Sequence, residues 1–229
     1  DANSPPCASP GGTMNDYATD RRDYRWDCPP RFNFARDVID RWAAADPAQP
    51  AMLWVDDHGH EEWRTFADIA AASRRVANVL AAAGVARGDR VVMLLGRQIA
   101  WWEVLTACLR MGAVASPGTA QLSAKDLAYR INAAGATCVV TDAANAAKVD
   151  AVIGECPSLK ARVLVDGSRE GWIDYATAVR AASEAFVTVD SAAQDEALCY
   201  FTSGTTGQPK MCMHAHAYGL AHQSTGRYW

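Results

Sequence analysis

Apolar and polar positions alternate along this chain in a way that predicts helices and strands in turn. From Phe32 to Ala43 the order Phe-Asn-Phe-Ala-Arg-Asp-Val-Ile-Asp-Arg-Trp-Ala puts Phe34, Val38, Ile39 and Trp42 on one helical face. Asp46-Pro47 and Pro50 end that helix. Ala51-Met-Leu-Trp-Val55 reads as a strand, and Asp57-His-Gly-His60 turns it into a second short strand around Glu62-Trp63-Arg64. Thr65, with Asp68 three residues on, caps a helix that runs to about Ala83 and stops at Gly84. Strand Val91–Leu95, helix Ile99–Met111 closed by Gly112, and strand Ala113–Ser116 follow. Ser123 and Asp126 repeat the capping pattern, and Gly135 closes their helix. Strand Thr137–Thr141, a helix near Ala144–Ile153, strand Arg162–Val165 and a helix near Tyr175–Ala185 lead to two apolar runs, Ala197–Phe201 and Met211–Met213, which read as buried strands. Alternation at this spacing predicts an α/β fold, a mainly parallel sheet with helices on both faces.

Composition narrows the setting. The chain has 229 residues, half of them hydrophobic, enough for one large domain or two small ones. A net charge of −4 with both signs scattered excludes a basic nucleic-acid surface. The apolar runs are too short for a membrane span. The cysteines (Cys7, Cys28, Cys108, Cys138, Cys156, Cys199 and Cys212) number seven, form no C-x-x-C pair and sit mostly in apolar segments. Free thiols in a reducing compartment, taken as the cytoplasm, are expected, with no disulfide framework and no zinc site. Residues 1–13 are small, polar and proline-rich and lack the parts of a signal peptide. Residues 1–22 are expected to be disordered, Met14 is a candidate start, and 23–229 form the folded unit.

The chemistry concentrates in Tyr200-Phe-Thr-Ser-Gly-Thr-Thr-Gly-Gln-Pro-Lys210, a polar loop between two strand-like arms. Gly204 and Gly207 let the backbone turn its N–H groups toward one anion. Thr202, Ser203, Thr205 and Thr206 add hydroxyl donors, and Lys210 adds a compact positive charge with three donors. The other reading of such composition is a flexible surface loop. The spacing is not the Walker pattern, since Gly204 and Gly207 are two apart and Gln208-Pro209 precedes the lysine. Elsewhere the residues favour plain structural roles. Adjacent Trp101 and Trp102 cannot share a helical face, so at least one packs in the core. His214 and His216, with His222 beyond, lack the carboxylate or cysteine set that would complete a metal site. Asp56, Asp57, His58 and His60 belong to a solvated turn. Ser203 has no G-x-S-x-G context for a hydrolase nucleophile.

The ordered string Phe201-Thr-Ser-Gly-Thr-Thr-Gly-Gln-Pro-Lys210 resembles the signature loop of the adenylate-forming superfamily, aromatic-Thr-Ser-Gly-Ser/Thr-Thr-Gly-x-Pro-Lys, at every position. Phe32–Ala43, Trp101–Gly112, Pro117-Gly-Thr-Ala-Gln121 and Lys125-Asp-Leu-Ala-Tyr-Arg130 are similar to medium-chain acyl-CoA synthetases more than to luciferases or peptide-synthetase domains. The resemblance runs from about residue 23 to the end. It implies ATP-dependent adenylation of a carboxylic acid, a medium-chain fatty acid first and a benzoate-type acid as the rival. Thioester formation with CoA follows, and Mg2+ accompanies ATP. Thr202, Ser203, Gly204, Thr205, Thr206, Gly207 and Lys210 would hold the β- and γ-phosphates, with Lys210 stabilising charge in catalysis and no residue acting as covalent nucleophile. Family members continue past the position of Trp229 with an aromatic-Gly-x-Thr-Glu segment, a ribose-binding aspartate, a hinge and a C-terminal domain carrying the adenylation lysine. The resemblance therefore implies that this chain is the N-terminal part of the large domain of an adenylate-forming enzyme, truncated after its phosphate loop and inactive by itself. The alternative outside catalysis is a nucleotide- or partner-binding module.

Overall fold

The computed structural model describes residues 16–203 and 207–228. Helix α1 (Tyr17–Asp23) starts the described chain and buries none of its residues. Of the segment expected to be disordered, residues 1–15 lie outside the described residues. The remainder is mostly this helix, its first turn closed by Thr19 and Asp20 N–H groups donating to the Asp16 carbonyl. The amphipathic stretch that follows begins as a π-helical segment, Ala35–Asp40, and continues as α2 (Arg41–Ala45). Its apolar face is the one expected: Phe34, Val38 and Ile39 pack into small apolar clusters. Trp42 stacks on Phe66 at 5.7 Å.

Strands β1 (Pro50–Val55) and β2 (Glu61–Thr65) pair antiparallel as a separate two-stranded sheet. Thr65 and Asp68 form a capping box at the start of α3 (Phe66–Ala82). This satisfies two backbone donors reciprocally, and losing such a cap typically costs about 1 kcal/mol. The main domain then alternates: β3 (Arg90–Leu94), α4 (Ile99–Met111), β4 (Val114–Gly118), α5 (Ala124–Ala134), β5 (Cys138–Thr141), α6 (Ala143–Asp150) and β6 (Ala161–Leu164). After these come β7 (Ile173–Asp174), α7 (Tyr175–Ala181), β8 (Glu196–Thr202), β9 (Lys210–Ala215) and α8 (Tyr218–Tyr228). The second predicted capping box is present at Ser123 and Asp126. Gly112 ends α4 in the left-handed region at φ 71°, where its missing Cβ avoids strain.

The strands form a seven-stranded sheet in the order β7-β6-β5-β3-β4-β8-β9. All neighbours are parallel except β8 and β9. Strand period 2 divides the core. Val91 and Met93 face α3 and α4, whereas Val92 and Leu94 face α5 and α6. Each such side chain contributes roughly 1.5–3 kcal/mol by burial. The chain steps from β4 across β3 to β5, then returns from β7 to β8 beside β4. Ala115 on β4 lies level with Leu198 on β8, so the carboxyl ends of these strands reach one edge of the sheet together. In open α/β sheets that edge is where ligands bind.

A buried ion pair fastens the helices on one face. Arg110 of α4 donates to Asp40 Oδ2 at 2.7 Å and to Oδ1 at 2.8 Å. It also donates to Ser73 Oγ of α3 at 3.0 Å and to Thr188 Oγ1 at 2.6 Å.

Two expectations need correction. β9 is an edge strand paired only with β8, so Met211 and Cys212 are exposed instead of buried. α7 stops at Ala181, because Ala182 is extended and Asn78 of α3 then captures the Ser183 and Ala185 carbonyls. β7 and α8 were not anticipated.

Candidate phosphate-loop site

β8 and β9 are the two arms of a hairpin whose tip is the polar loop. The register pairs Phe201 with Met211 and Thr202 with Lys210. Ala197, Leu198 and Cys199 anchor β8 in the core, and burial gives way to exposure at Thr202 and Ser203. The Thr202 hydroxyl donates to the Lys210 carbonyl at 3.4 Å. Thr202, Ser203, Gly207 and Lys210 are thus brought to one solvent-open tip at the carboxyl end of β8. Gly204, Thr205 and Thr206 lie outside the described residues. Gly207 has φ +147°, a conformation that a Cβ would strain. Among the described residues no ion pair holds the Lys210 ammonium, so its charge is available at the tip.

Helix α5 meets this hairpin. The Tyr129 hydroxyl donates to the Pro209 carbonyl at 2.9 Å. The Tyr129 ring lies edge-on to Phe201 at 6.3 Å, and the Arg130 guanidinium sits 4.9 Å from the centre of the same Phe201 ring. In the sequence, Tyr129 and Arg130 fall within a segment that carries the family resemblance and have no assigned role. The aromatic-basic pair one turn into a capped helix was the available signal.

The remaining candidates fall where their chemistry allows. Trp101 packs against the core while Trp102 is exposed, and the two rings meet edge-on at 4.7 Å. Asp56 accepts from the backbone N–H groups of His58 and His60, each at 2.8 Å, which makes this segment a turn. His214 is sandwiched between Tyr200 at 5.6 Å and Tyr218 at 4.3 Å, and Tyr218 in turn meets His222 at 4.6 Å. His216 is buried and neither ring nitrogen has a partner. Burial holds its pKa below the ordinary histidine value, against the pull of Asp195. Among the described residues no group of three or more His, Cys, Asp and Glu side chains could hold a metal ion. Nor is any described helix long and apolar enough to cross a membrane. The described cysteines are free. Burial pushes the Cys138 thiol up to about 12 and raises Cys108 as well.

A second concavity was not foreseen. A cavity of about 530 Å³ opens between α4, β1, β8 and α8, lined by Phe34, Met52, Trp101, Leu105, Tyr200 and Tyr218 among others.

A hairpin tip of this kind on the carboxyl edge of a mixed, mostly parallel sheet defines an α/β domain of the adenylate-forming type. The comparisons with known proteins agree. The family model for AMP-binding enzymes matches residues 39–227, and the chain belongs to that family. It is 42% identical over 209 residues to the mitochondrial acyl-coenzyme A synthetase ACSM4 of Mus musculus, covering 88% of this chain and 36% of that protein. It is 44% identical over 209 residues to the mitochondrial ACSM5 of the same organism, with the same coverage of 88% and 36%. The crystal structure of a Brucella canis acyl-CoA synthetase superposes with a TM-score of 0.83 at 25% identity, over 93% of this chain and 40% of that one. The chain thus spans 36% of the length of the curated relatives named here.

Proposed function

We propose that residues 23–229 belong to the AMP-binding domain of an acid–CoA ligase and carry its phosphate loop. The observation that supports this most directly is the hairpin register. It sets Lys210 opposite Thr202 at the exposed carboxyl end of β8, with Ser203 and Gly207 beside them. In this reading Thr202, Ser203, Gly204, Thr205, Thr206, Gly207 and Lys210 hold the β- and γ-phosphates of MgATP. A carboxylate oxygen attacks the α-phosphorus, and the bond to the bridging oxygen breaks. Negative charge then builds on the departing pyrophosphate. Lys210 and the loop donors stabilise that charge where it develops, which lowers the barrier without covalent chemistry. The CoA thiol next attacks the acyl carbon, and AMP leaves. Mg2+ arrives with ATP, since a magnesium ion in such sites is held largely by substrate phosphates. The acid is a medium-chain fatty acid in the first instance, on the strength of the segments 32–43, 101–112 and 117–130. A benzoate-type acid is the rival. A reducing compartment, with the cytoplasm first, suits the free thiols.

Calorimetric titration with MgATP tests the loop. Acid-dependent ATP–pyrophosphate exchange by the enzyme that carries it, across acids of graded length and ring content, tests the chemistry. No ATP signal from the chain and no exchange with any acid would refute the proposal. Binding of ATP without exchange would favour the non-catalytic module.

A further inference from the structure

The two ends of the phosphate loop are held by consecutive residues of one helix. Phe201 immediately precedes Thr202, and Pro209 immediately precedes Lys210. Tyr129 donates its hydroxyl to the Pro209 carbonyl at 2.9 Å across 80 residues of sequence. Arg130 lies over the Phe201 ring at 4.9 Å, and Tyr129 flanks that ring edge-on. Each contact therefore acts one residue away from a predicted phosphate ligand.

The peptide joining Pro209 to Lys210 is planar. Fixing its carbonyl oxygen fixes the direction of the Lys210 N–H and the point from which the lysine stem leaves the backbone. A phenylalanine at 129 would pack against Phe201 as well as a tyrosine does. What the hydroxyl adds is one bond to the loop. Arg130 makes no ion pair among the described residues, and its Nε is buried without a partner. Its described engagements are with the aromatic ring that opens the loop and, through charge, with Asp126 of the same helix.

We propose that Tyr129 and Arg130 are positioning residues for the phosphate loop. Tyr129 sets the Pro209–Lys210 peptide, and Arg130 steadies Phe201 and hence Thr202. The inference rests on the reading of the loop as a phosphate site, yet the bracing can be measured without nucleotide.

The test uses the whole 229-residue chain. Tyr129→Phe keeps the ring and removes the donor. Without nucleotide, hydrogen exchange across 207–212 is expected to quicken about fivefold, the change that loss of one neutral hydrogen bond produces. Exchange in β3 and β5 and the thermal midpoint stay unchanged. Affinity for magnesium pyrophosphate and for MgATP falls about five- to tenfold. Arg130→Met weakens both about two- to fivefold, and Arg130→Lys recovers most of that loss. Unchanged loop exchange in Tyr129→Phe overturns the proposal. So does exchange that quickens throughout the chain, since the hydroxyl would then hold the fold and not the loop. Faster loop exchange with unchanged affinity overturns the positioning role. If the wild-type chain binds neither probe, the phosphate reading itself fails, and the exchange arm still decides whether α5 braces the hairpin.

Discussion

Asp40→Ala should destabilise the chain far more than its partial exposure suggests. Asp40 accepts two bonds from Arg110, at 2.7 and 2.8 Å, and one from Arg74 at 3.1 Å. The Arg110 side chain is 1% exposed and the Asp40 side chain 28%. Removing the carboxylate leaves a guanidinium buried without its counter-charge, which costs about 3–5 kcal/mol. The Ser73 and Thr188 hydroxyls remain on the guanidinium, so the loss belongs in the lower half of that range. The reverse change, Arg110→Met, fills most of the same volume and leaves Asp40 near water with Arg74 still beside it. It should cost only about 1–2 kcal/mol. For a chain of this size the first variant lowers the melting temperature by roughly 6–16 °C. Urea unfolding of the two single variants and the double variant measures all three terms. Equal costs for the two single changes, or a coupling below about 1 kcal/mol, would refute the claim that this pair fastens the π-helical segment to α4.

Lys210→Ala is expected to slow adenylation ~10–1000-fold in the proposed ligase, the range onto which a lost charge contact of ~1.4–4 kcal/mol maps. An unchanged pyrophosphate-exchange rate would remove Lys210 from the mechanism. Native thiol titration with a chromogenic disulfide should find Cys212 reactive, being exposed, and Cys108 and Cys138 silent until denaturant is added. Mass mapping of the labelled thiols checks this, and early label on Cys138 would contradict its burial. Because His216 is held below the ordinary histidine value, the unfolded chain takes up its proton first. Stability from this residue is therefore full above about pH 6.5 and declines as pH falls toward the folded value. His216→Leu should flatten that decline, by at most about 1.4 kcal/mol per pH unit, in urea midpoints compared at pH 7.5 and 5.5.

Much of this architecture was legible because local chemistry and tertiary context agree. Thr65 with Asp68, and Ser123 with Asp126, mark helix starts by hydrogen bonds made within four residues. Gly112 marks a helix end through its own backbone conformation. What escaped notice depends on distant partners. β7 is two residues long and exists only by pairing with β6. α8 contains Gly219 and Gly226 and has little periodicity, so its helical state leans on the contact that Tyr218 makes with His214 and on the Phe34 ring, which lies where a Cβ at Gly219 would sit. Met211-Cys-Met213 has the composition of a core strand, but composition does not reveal which strands have two neighbours. At the site, the run from Thr202 to Lys210 announces itself by order and spacing. The support it receives from Tyr129 and Arg130 spans some 70–80 residues of sequence and needed the fold to become visible.

The hairpin form of the loop has an electrostatic consequence. In a strand-to-helix phosphate loop the anion sits at a helix N-terminus and feels a macrodipole equivalent to about half a positive charge. Here the chain enters along β8 and leaves along β9, so the loop's own backbone brings no such field. In the proposed phosphate site, attraction for the anion would come from discrete donors and the Lys210 ammonium. Such a site is expected to respond steeply to ionic strength and to the loss of its single lysine.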